Sequence, residues 1–462
     1  MGALARRGTV VAPFKVGPDY IDPGYHTLAA GRPGRNLDPV LVGADLVAPL
    51  ARHGAAGAEI AVVEGVMGLF DGRLADGAGS TAHVAALLGA PVVLVVDCRG
   101  QSRSLAALLH GFRSFDPAPR SAGGVGGGRV QLVGVVLNQV GSPRHEEVLR
   151  AAADEVGLPV LGALPRRDAL AVPSRHLGLV TAVEHGAAAT AAVDAMAELV
   201  AAHVDLDAVV ALASPLPPGP AWSPADAIDP DAIGDRERIS VPRHGDPATA
   251  PARTAVFGGQ AFTFGYAEHV ELLEAAGSEV VVVDPLRDEG LPAGTTALVL
   301  PGGFPEEHVA ALGANAPLRA AVRALAASGA PVHAECGGLL YLCRSLDDAP
   351  MCGVLPATAA MTGRLTLGYR DAVALTDSPL FSTGSRVAGH EFHRCAVNPR
   401  FGTAGAGTGA AWAWRGGEPE GFVSATVHAS FLHTHPAGNP DAVARFVHSA
   451  RIGQPGRADD PA

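Results

Sequence analysis

A chain of 462 residues exceeds one ordinary hydrophobic core and sets an expectation of two or three domains. With 48% hydrophobic and 17% charged residues, 58 Gly and 37 Pro, it reads as a soluble α/β protein rich in tight turns. Its net charge of -12 argues against a nucleic-acid surface, and its apolar runs are of strand length, far short of a membrane span.

The first residues, Met1-Gly2-Ala3-Leu4-Ala5-Arg6, carry no apolar leader and lack the hydroxyl residue of a myristoylation signal. Five cysteines (Cys98, Cys336, Cys343, Cys352, Cys395) without C-x-x-C spacing indicate neither a disulfide framework nor a structural zinc site. A reducing cytoplasm is the expected compartment.

Residues 1 to about 205 alternate short apolar runs with Ala-rich helical stretches. Strands are expected at Val10-Val11-Ala12, Ile60-Ala61-Val62-Val63, Val92 to Val96, Leu132 to Leu137 and Val160-Leu161-Gly162. Continuous apolar runs spaced by helices are the mark of a buried parallel sheet. Lys15, Glu64, Asp97 and Asn138 lie at or just past strand ends. Ligands of open α/β sheets bind there, so these four residues are expected along one crevice. Two stretches, Pro13 to His26 followed by Arg35-Asn36-Leu37-Asp38-Pro39, and Glu64 to Gly72, read as carboxylate-bearing loops. Carboxylates near a nucleotide phosphate serve as Mg²⁺ ligands or orient a nucleophile, and Lys15 can offset phosphate charge.

From about residue 206 to 252 the pattern dissolves into Pro, Asp, Gly and Arg, as in Pro215-Leu216-Pro217-Pro218-Gly219-Pro220, and reads as a linker. A second α/β region spans 253–450, with an amphipathic helix around Glu268 to Ala276, and 451–462 is expected to be a disordered tail. Within it, Leu298-Val299-Leu300-Pro301-Gly302-Gly303 is a strand entering a Gly-Gly turn, and Pro331-Val332-His333-Ala334-Glu335-Cys336-Gly337-Gly338 is a strand ending in a cysteine. His433 follows about a hundred residues later. A cysteine at a sharp strand-to-helix turn is exposed to attack a substrate, and a helix N-terminus favours its thiolate. The glycines allow backbone N–H groups, from Gly303 and Gly337, to meet an oxyanion. A histidine distant in sequence can serve as base.

This arrangement resembles class I glutamine amidotransferases, whose flavodoxin-like α/β domain hydrolyses glutamine. The resemblance makes Cys336 the nucleophile and His433 the residue that raises its reactivity. Such enzymes place a glutamate two residues after the histidine; here that position holds His435, so a dyad or another partner is expected. The N-terminal stretches resemble the P-loop-NTPase-like synthetase domain of cobyrinate and hydrogenobyrinate a,c-diamide synthases. The likeness extends to Val95 to Ser102, Leu137-Asn138-Gln139-Val140, Arg175-His176-Leu177-Gly178-Leu179 and Gly389-His390-Glu391-Phe392-His393.

That family uses ATP and Mg²⁺ to activate the a and c carboxylates of a corrin ring, then replaces phosphate with ammonia from glutamine. The resemblance therefore implies a cytoplasmic carbon–nitrogen ligase of cobalamin biosynthesis. Its synthetase site would hold Lys15, Asp19, Asp22 and Asp71, with Glu64 as the Mg²⁺ ligand. Its partners would be a corrinoid, glutamine and ATP, and a homodimer is expected. Tyr20, His26, His390 and His393 are candidates for holding the ring. Docked domains are expected to keep ammonia from water.

Two departures matter. Ser174 stands where the family has Glu. The family also carries a Gly-Lys-Thr P-loop upstream of Lys15, and no Gly-Lys-Ser/Thr occurs in this sequence. Either the true start lies upstream of Met1, or the loop is absent and only glutaminase chemistry remains. Cobyric acid synthase, nickel-sirohydrochlorin a,c-diamide synthase and a non-catalytic partition-type scaffold are the rival readings.

Overall fold

Apolar residues on both faces make Val11–Val16 (β1) a strand buried along its whole length. It lies between Arg35–Leu37 (β2) and Ile60–Glu64 (β3), all parallel. The computed structural model describes residues 1–462 except 75, 116–129, 168–173, 176–177, 229–251 and 453–462. The chain divides into two units, Met1–Trp222 and Ser223–Ala462.

In the first unit a second parallel sheet is built from Val92–Asp97 (β4), Leu132–Val140 (β5) and Val160–Pro165 (β6), in the order β4-β5-β6. A short antiparallel ladder joins Ser174–Arg175 (β7) to Gly178–Leu179 (β8). His176 and Leu177, part of a motif noted above, lie outside the described residues. Among the described residues β3 and β4 each keep one unpaired edge, and Val95 on β4 stays 62% exposed. The four strand-end residues come together two by two: Lys15 is in register with Glu64, and Asp97 with Asn138.

Four expectations differ from the structure here. β1 continues through Val16, so Lys15 lies inside a strand and not past one; pairing of Phe14–Val16 with Arg35–Leu37 extends it. The stretch read as a loop at 35–39 is therefore edge strand β2, closed by Asp38, which caps the helix Pro39–Val42. Asp22 opens the helix Asp22–Ala30, with Pro23 in its first turn. The stretch read as linker also holds two helices, Leu206–Ala211 and Pro224–Ile228, the first anchored where Asp205 N–H donates to Leu161 O at 2.8 Å. Residues 229–251 and most of the expected tail lie outside the described residues, the last helix running Pro440–Ile452.

The second unit carries a six-stranded sheet. Its strands are Ala252–Phe257 (β9), Ser278–Val283 (β10), Ala297–Leu300 (β11), Val332–Glu335 (β12), Phe422–Val423 (β18) and Val427–Ser430 (β19), in the order β10-β9-β11-β12-β19-β18. All pairs are parallel except β18 with β19. A second sheet is dominated by the long hairpin Thr358–Ala374 (β15) and Arg386–Asn398 (β16), which sequence periodicity did not reveal. Its neighbours are Ser345–Leu346 (β13), Ala349–Pro350 (β14), Trp412–Ala413 (β17) and His433–Thr434 (β20). Phe257, Phe262 and Tyr341 pack edge-on in the core beneath the first sheet. Among the described residues no helix is long and apolar enough to cross a membrane.

The helix Gly337–Leu342 rests directly on β11. A Cβ added at Gly338 would lie 2.1 Å from the Leu300 carbonyl oxygen, so only glycine allows this approach. Gly338→Ala is expected to cost about 3 kcal/mol by overpacking. In a unit of this size that lowers the melting temperature by roughly 5–10 °C, measurable by thermal denaturation.

Candidate active site

β12 delivers Cys336 to the mouth of the helix Gly337–Leu342 with φ 47° and ψ -103°. A residue with a side chain adopts this left-handed backbone at a cost of about 1–3 kcal/mol, and such strain gathers where a nucleophile must protrude from a tight turn. The turn is held by the Cys336 N–H, which donates to Ser430 O on β19 at 2.7 Å. The two expected oxyanion donors are brought together: a Cβ built on Gly337 would sit 3.0 Å from the Gly303 nitrogen.

Burial first, then the neighbouring Cys395 and Glu306, push the Cys336 thiol well above its ordinary range. The thiolate bias expected from the helix N-terminus is outweighed by burial, the helix having only six residues. Cys336 therefore rests as a thiol, and a nucleophilic role would require a base to take its proton.

His433, fully buried, is brought beside the Gly302-Gly303 turn. Its Nδ1 lies 3.3 Å from Glu335 Oε2, and a Cβ on Gly302 would meet its Cε1 at 2.5 Å. Glu335 Oε1 accepts from Thr434 N–H and Thr434 Oγ–H, each at 3.1 Å, and lies 3.3 Å from His333 Nε2. Burial works to raise the Glu335 carboxyl, but hydrogen bonds and charge from His333 and His433 hold it well below the usual carboxylate range. Sequence reasoning missed Glu335. The signal was present, since strand alternation puts Glu335 on the face of His333 and away from Cys336. His435, where a triad carboxylate was sought, instead accepts from Ala437 N–H at 3.2 Å and packs on Tyr266, ring centroids 4.0 Å apart.

Two further groups hold the His433 segment. Glu420, buried, accepts from Ser430 Oγ at 2.7 Å and from Phe431 N–H at 2.8 Å. His393 stacks on Phe431 with centroids 3.8 Å apart and hydrogen-bonds Cys395 O, while Glu391 accepts from Arg370 at 2.7 Å. His390 is in register with His433. The His390 and His393 side chains are thus buried in the second unit around His433, a placement that leaves them no exposed face for holding a ring.

The first unit gathers Lys15, Asp22, Glu64 and His26. Lys15 Nζ donates to Asp22 Oδ2 at 2.6 Å and to Gly65 O at 3.1 Å, and lies 3.5 Å from Glu64. His26 pairs with the other Glu64 oxygen. Asp19 caps the turn into the helix, accepting from Ile21 N–H at 2.8 Å and Asp22 N–H at 3.0 Å. Burial works to lower the Lys15 ammonium, but Glu64, Asp22 and Asp19 together raise it. Asp22 is raised by burial and by Asp19 against the pull of Lys15, while Glu64 is lowered because His26 and Lys15 outweigh its burial. In this state the Lys15 charge is matched to carboxylates. Asp71 stays in its own turn, accepting from Gly68 N–H at 3.0 Å, and does not join the cluster. Tyr20 is buried and His26 is engaged with Glu64, so neither offers a free face to a large ligand.

The chain matches two family models. One, a CobQ/CobB/MinD/ParA nucleotide binding domain, covers residues 1–180. The other, a CobB/CobQ-like glutamine amidotransferase domain, covers residues 253–440. It is 57% identical to a hydrogenobyrinate a,c-diamide synthase of Mycobacterium tuberculosis strain H37Rv, over 98% of this chain and 94% of that one. It is 54% identical to the protein of that name from Streptomyces coelicolor, over 98% and 93%. A cobyrinate a,c-diamide synthase of Synechococcus is 37% identical over 98% and 94%.

Burial pushes Glu420 up to about 7, against the hydrogen bonds from Phe431 and Ser430. An unfolded glutamate titrates near ~4.3, so between these values the folded state holds the extra proton. That stability is complete below the unfolded value and is lost as pH rises through about 7. The melting temperature of the wild type relative to Glu420→Gln is expected to fall from pH 5 to pH 7 and then level off. A difference that stays flat across this range would show the carboxyl ionised throughout.

Proposed function

The chain belongs to the hydrogenobyrinate and cobyrinate a,c-diamide synthase family, and on that premise we propose an ATP-dependent, glutamine-hydrolysing ligase that amidates the a and c carboxylates of hydrogenobyrinate. What carries this reading is a match that runs through both units over 98% of the chain. The cobalt-free ring is preferred because identity is 57% and 54% to relatives named for hydrogenobyrinate and 37% to one named for cobyrinate. A cytoplasmic setting suits five free thiols and a need for ATP.

In the second unit the Cys336 thiol attacks the glutamine side-chain carbonyl as His433 takes its proton. Backbone N–H groups of Gly303 and Gly337 receive the oxyanion, a contribution of about 3 kcal/mol for one good donor. The carbon–nitrogen bond breaks, His433 returns the proton to the departing ammonia, and a glutamyl thioester remains on Cys336. Water, activated by the same imidazole, then cleaves the thioester and restores the thiol.

In the first unit a substrate carboxylate oxygen takes the terminal phosphoryl group of ATP with loss of ADP. Ammonia then attacks the acyl phosphate and inorganic phosphate leaves. Lys15 is assigned to phosphate charge, which requires exchanging its present carboxylate partners for phosphate oxygens. Asp19 and Asp22 orient the substrate carboxylate, with Asp71 reaching it from its own loop. Among the described residues no three side chains form a metal cage. The half-exposed carboxylate of Glu64 suits a Mg²⁺ ion that takes most of its shell from water and phosphate, as this ion usually does. When bound, that ion would supply charge neutralisation to the phosphates.

The two half-reactions separate by mutation. Cys336→Ser is expected to abolish glutamine-dependent amidation while keeping amidation driven by ammonium salts. Lys15→Ala should reduce ATP-dependent product about 10²-fold or more and leave glutamine hydrolysis intact. Mass spectrometry of the ring, with two amides per molecule expected, reads both. Glutamine hydrolysis by the wild type without any ATP-dependent ring product would leave a glutaminase and sink the synthetase reading.

A further inference from the structure

His433 has a carboxylate beside it that no local motif supplies. Glu335 Oε2 stands 3.3 Å from His433 Nδ1. The carboxylate sits on a rigid element, because β12 pairs with β19 in a register that sets Glu335 opposite Ser430. Its other oxygen is committed to Thr434 N–H, Thr434 Oγ–H and His333. An ionised carboxylate only accepts hydrogen bonds, so both facing imidazole nitrogens must carry hydrogens. For His433 this places the proton on Nδ1 and leaves Nε2 as the basic nitrogen.

We propose that Glu335, the residue immediately before the nucleophile, is the positioning carboxylate of this glutaminase, and that His333 anchors it from behind. The triad is thus rearranged in sequence, with its carboxylate on the nucleophile strand and not after the base. Glu335 acts through His433: it selects the tautomer, fixes the ring, and stabilises the imidazolium formed when the thiol proton arrives. It stays ionised throughout, so the proton shuttles only between Cys336 sulfur, His433 Nε2, ammonia and water. Removing one donor on Oε1 loosens the carboxylate without touching His433, which gives His333 a smaller role of the same sign. This inference rests on Cys336 and His433 being the glutaminase pair.

The test uses the full chain and three readouts: steady-state glutamine hydrolysis, melting temperature, and alkylation of Cys336 by the glutamine-shaped electrophile 6-diazo-5-oxo-L-norleucine, followed by intact mass. Wild-type protein must label at Cys336 and lose hydrolysis; if it does not, the Cys336 reading fails whatever Glu335 does. Given labelling, Glu335→Gln is expected to lower kcat about 10³-fold with KM within about threefold, and to slow alkylation in parallel. Its pH profile of alkylation should also move, which a structural tie to Thr434 alone would not cause. His333→Gln is expected to lower kcat about tenfold and serves as the measure if Glu335→Gln does not fold. Glu335→Gln with kcat within threefold of wild type and an unchanged profile would overturn the proposal. So would a His333→Gln protein that is indistinguishable from wild type.

Discussion

The parallel pairing of β12 with β19 is the constraint on which the second unit's chemistry depends. Through the bond from Cys336 N–H to Ser430 O, at 2.7 Å, it joins the strand that carries Cys336, the proposed nucleophile, to the strand that leads to His433, the proposed base. Three residues past Ser430 the chain reaches His433, already in register with His390 on β16. A one-residue slip of β19 would turn every side chain to the other face and remove His433 from Glu335. Glu420 guards this register by taking both Ser430 Oγ and Phe431 N–H, while His393 presses on the Phe431 ring. The placement of Cys336 relative to the His433 segment is therefore set by sheet pairing, with the turns after β11 and β12 completing the site.

The first unit solves a different problem, the burial of a lysine. Lys15 is 4% exposed, and an unpaired ammonium there would cost several kcal/mol. The answer is three carboxylates within its field, with Asp22 in direct contact at 2.6 Å. Because Asp22 is itself raised by burial and by Asp19, the cluster is poised and not saturated. A ligand bringing phosphate oxygens can replace one carboxylate partner without leaving Lys15 bare. The position inside β1 matters here, since pairing on both sides fixes the Lys15 backbone within a buried strand.

Much of this was legible in the sequence because its signals are local. Continuous apolar runs announced β3 to β6, and the Cys-Gly-Gly turn after a strand announced the strained Cys336. Gly337 and Gly303 were read as oxyanion donors, and the backbone packs closely around both. What escaped was set by pairing across the chain. β2 is three residues long and exists because β1 offers it an edge. Glu335 meets His433 across 98 positions, a separation no motif offset encodes. The stretch His390 to His393 looked like a cluster of ligand-binding groups. Its alternation is that of a strand, with His390 beside Tyr369 on one face and Glu391 beside His393 on the other.

A core with this many histidines raises the question of which one suits the role of the proposed base, and their surroundings differ. Burial holds His269 at about 4, with the neighbouring His333 pushing the same way. It holds His428 at about 3, again with His333 nearby, and His390 at about 3, with His433 and Arg370 adding to the effect. Each of these rings would take up a proton only at the cost of a poorly compensated charge in a low-dielectric interior. Among the described histidines only His333 and His433 touch the ionised oxygens of Glu335, each at 3.3 Å. His333 lines a cavity of about 30 Å³ with His269, Glu335 and Thr434, on the face of β12 away from Cys336. His433 lies over Gly302, in the turn that also supplies Gly303. Among the described buried histidines, it alone combines a carboxylate at one nitrogen with the Gly302-Gly303 turn beside the ring.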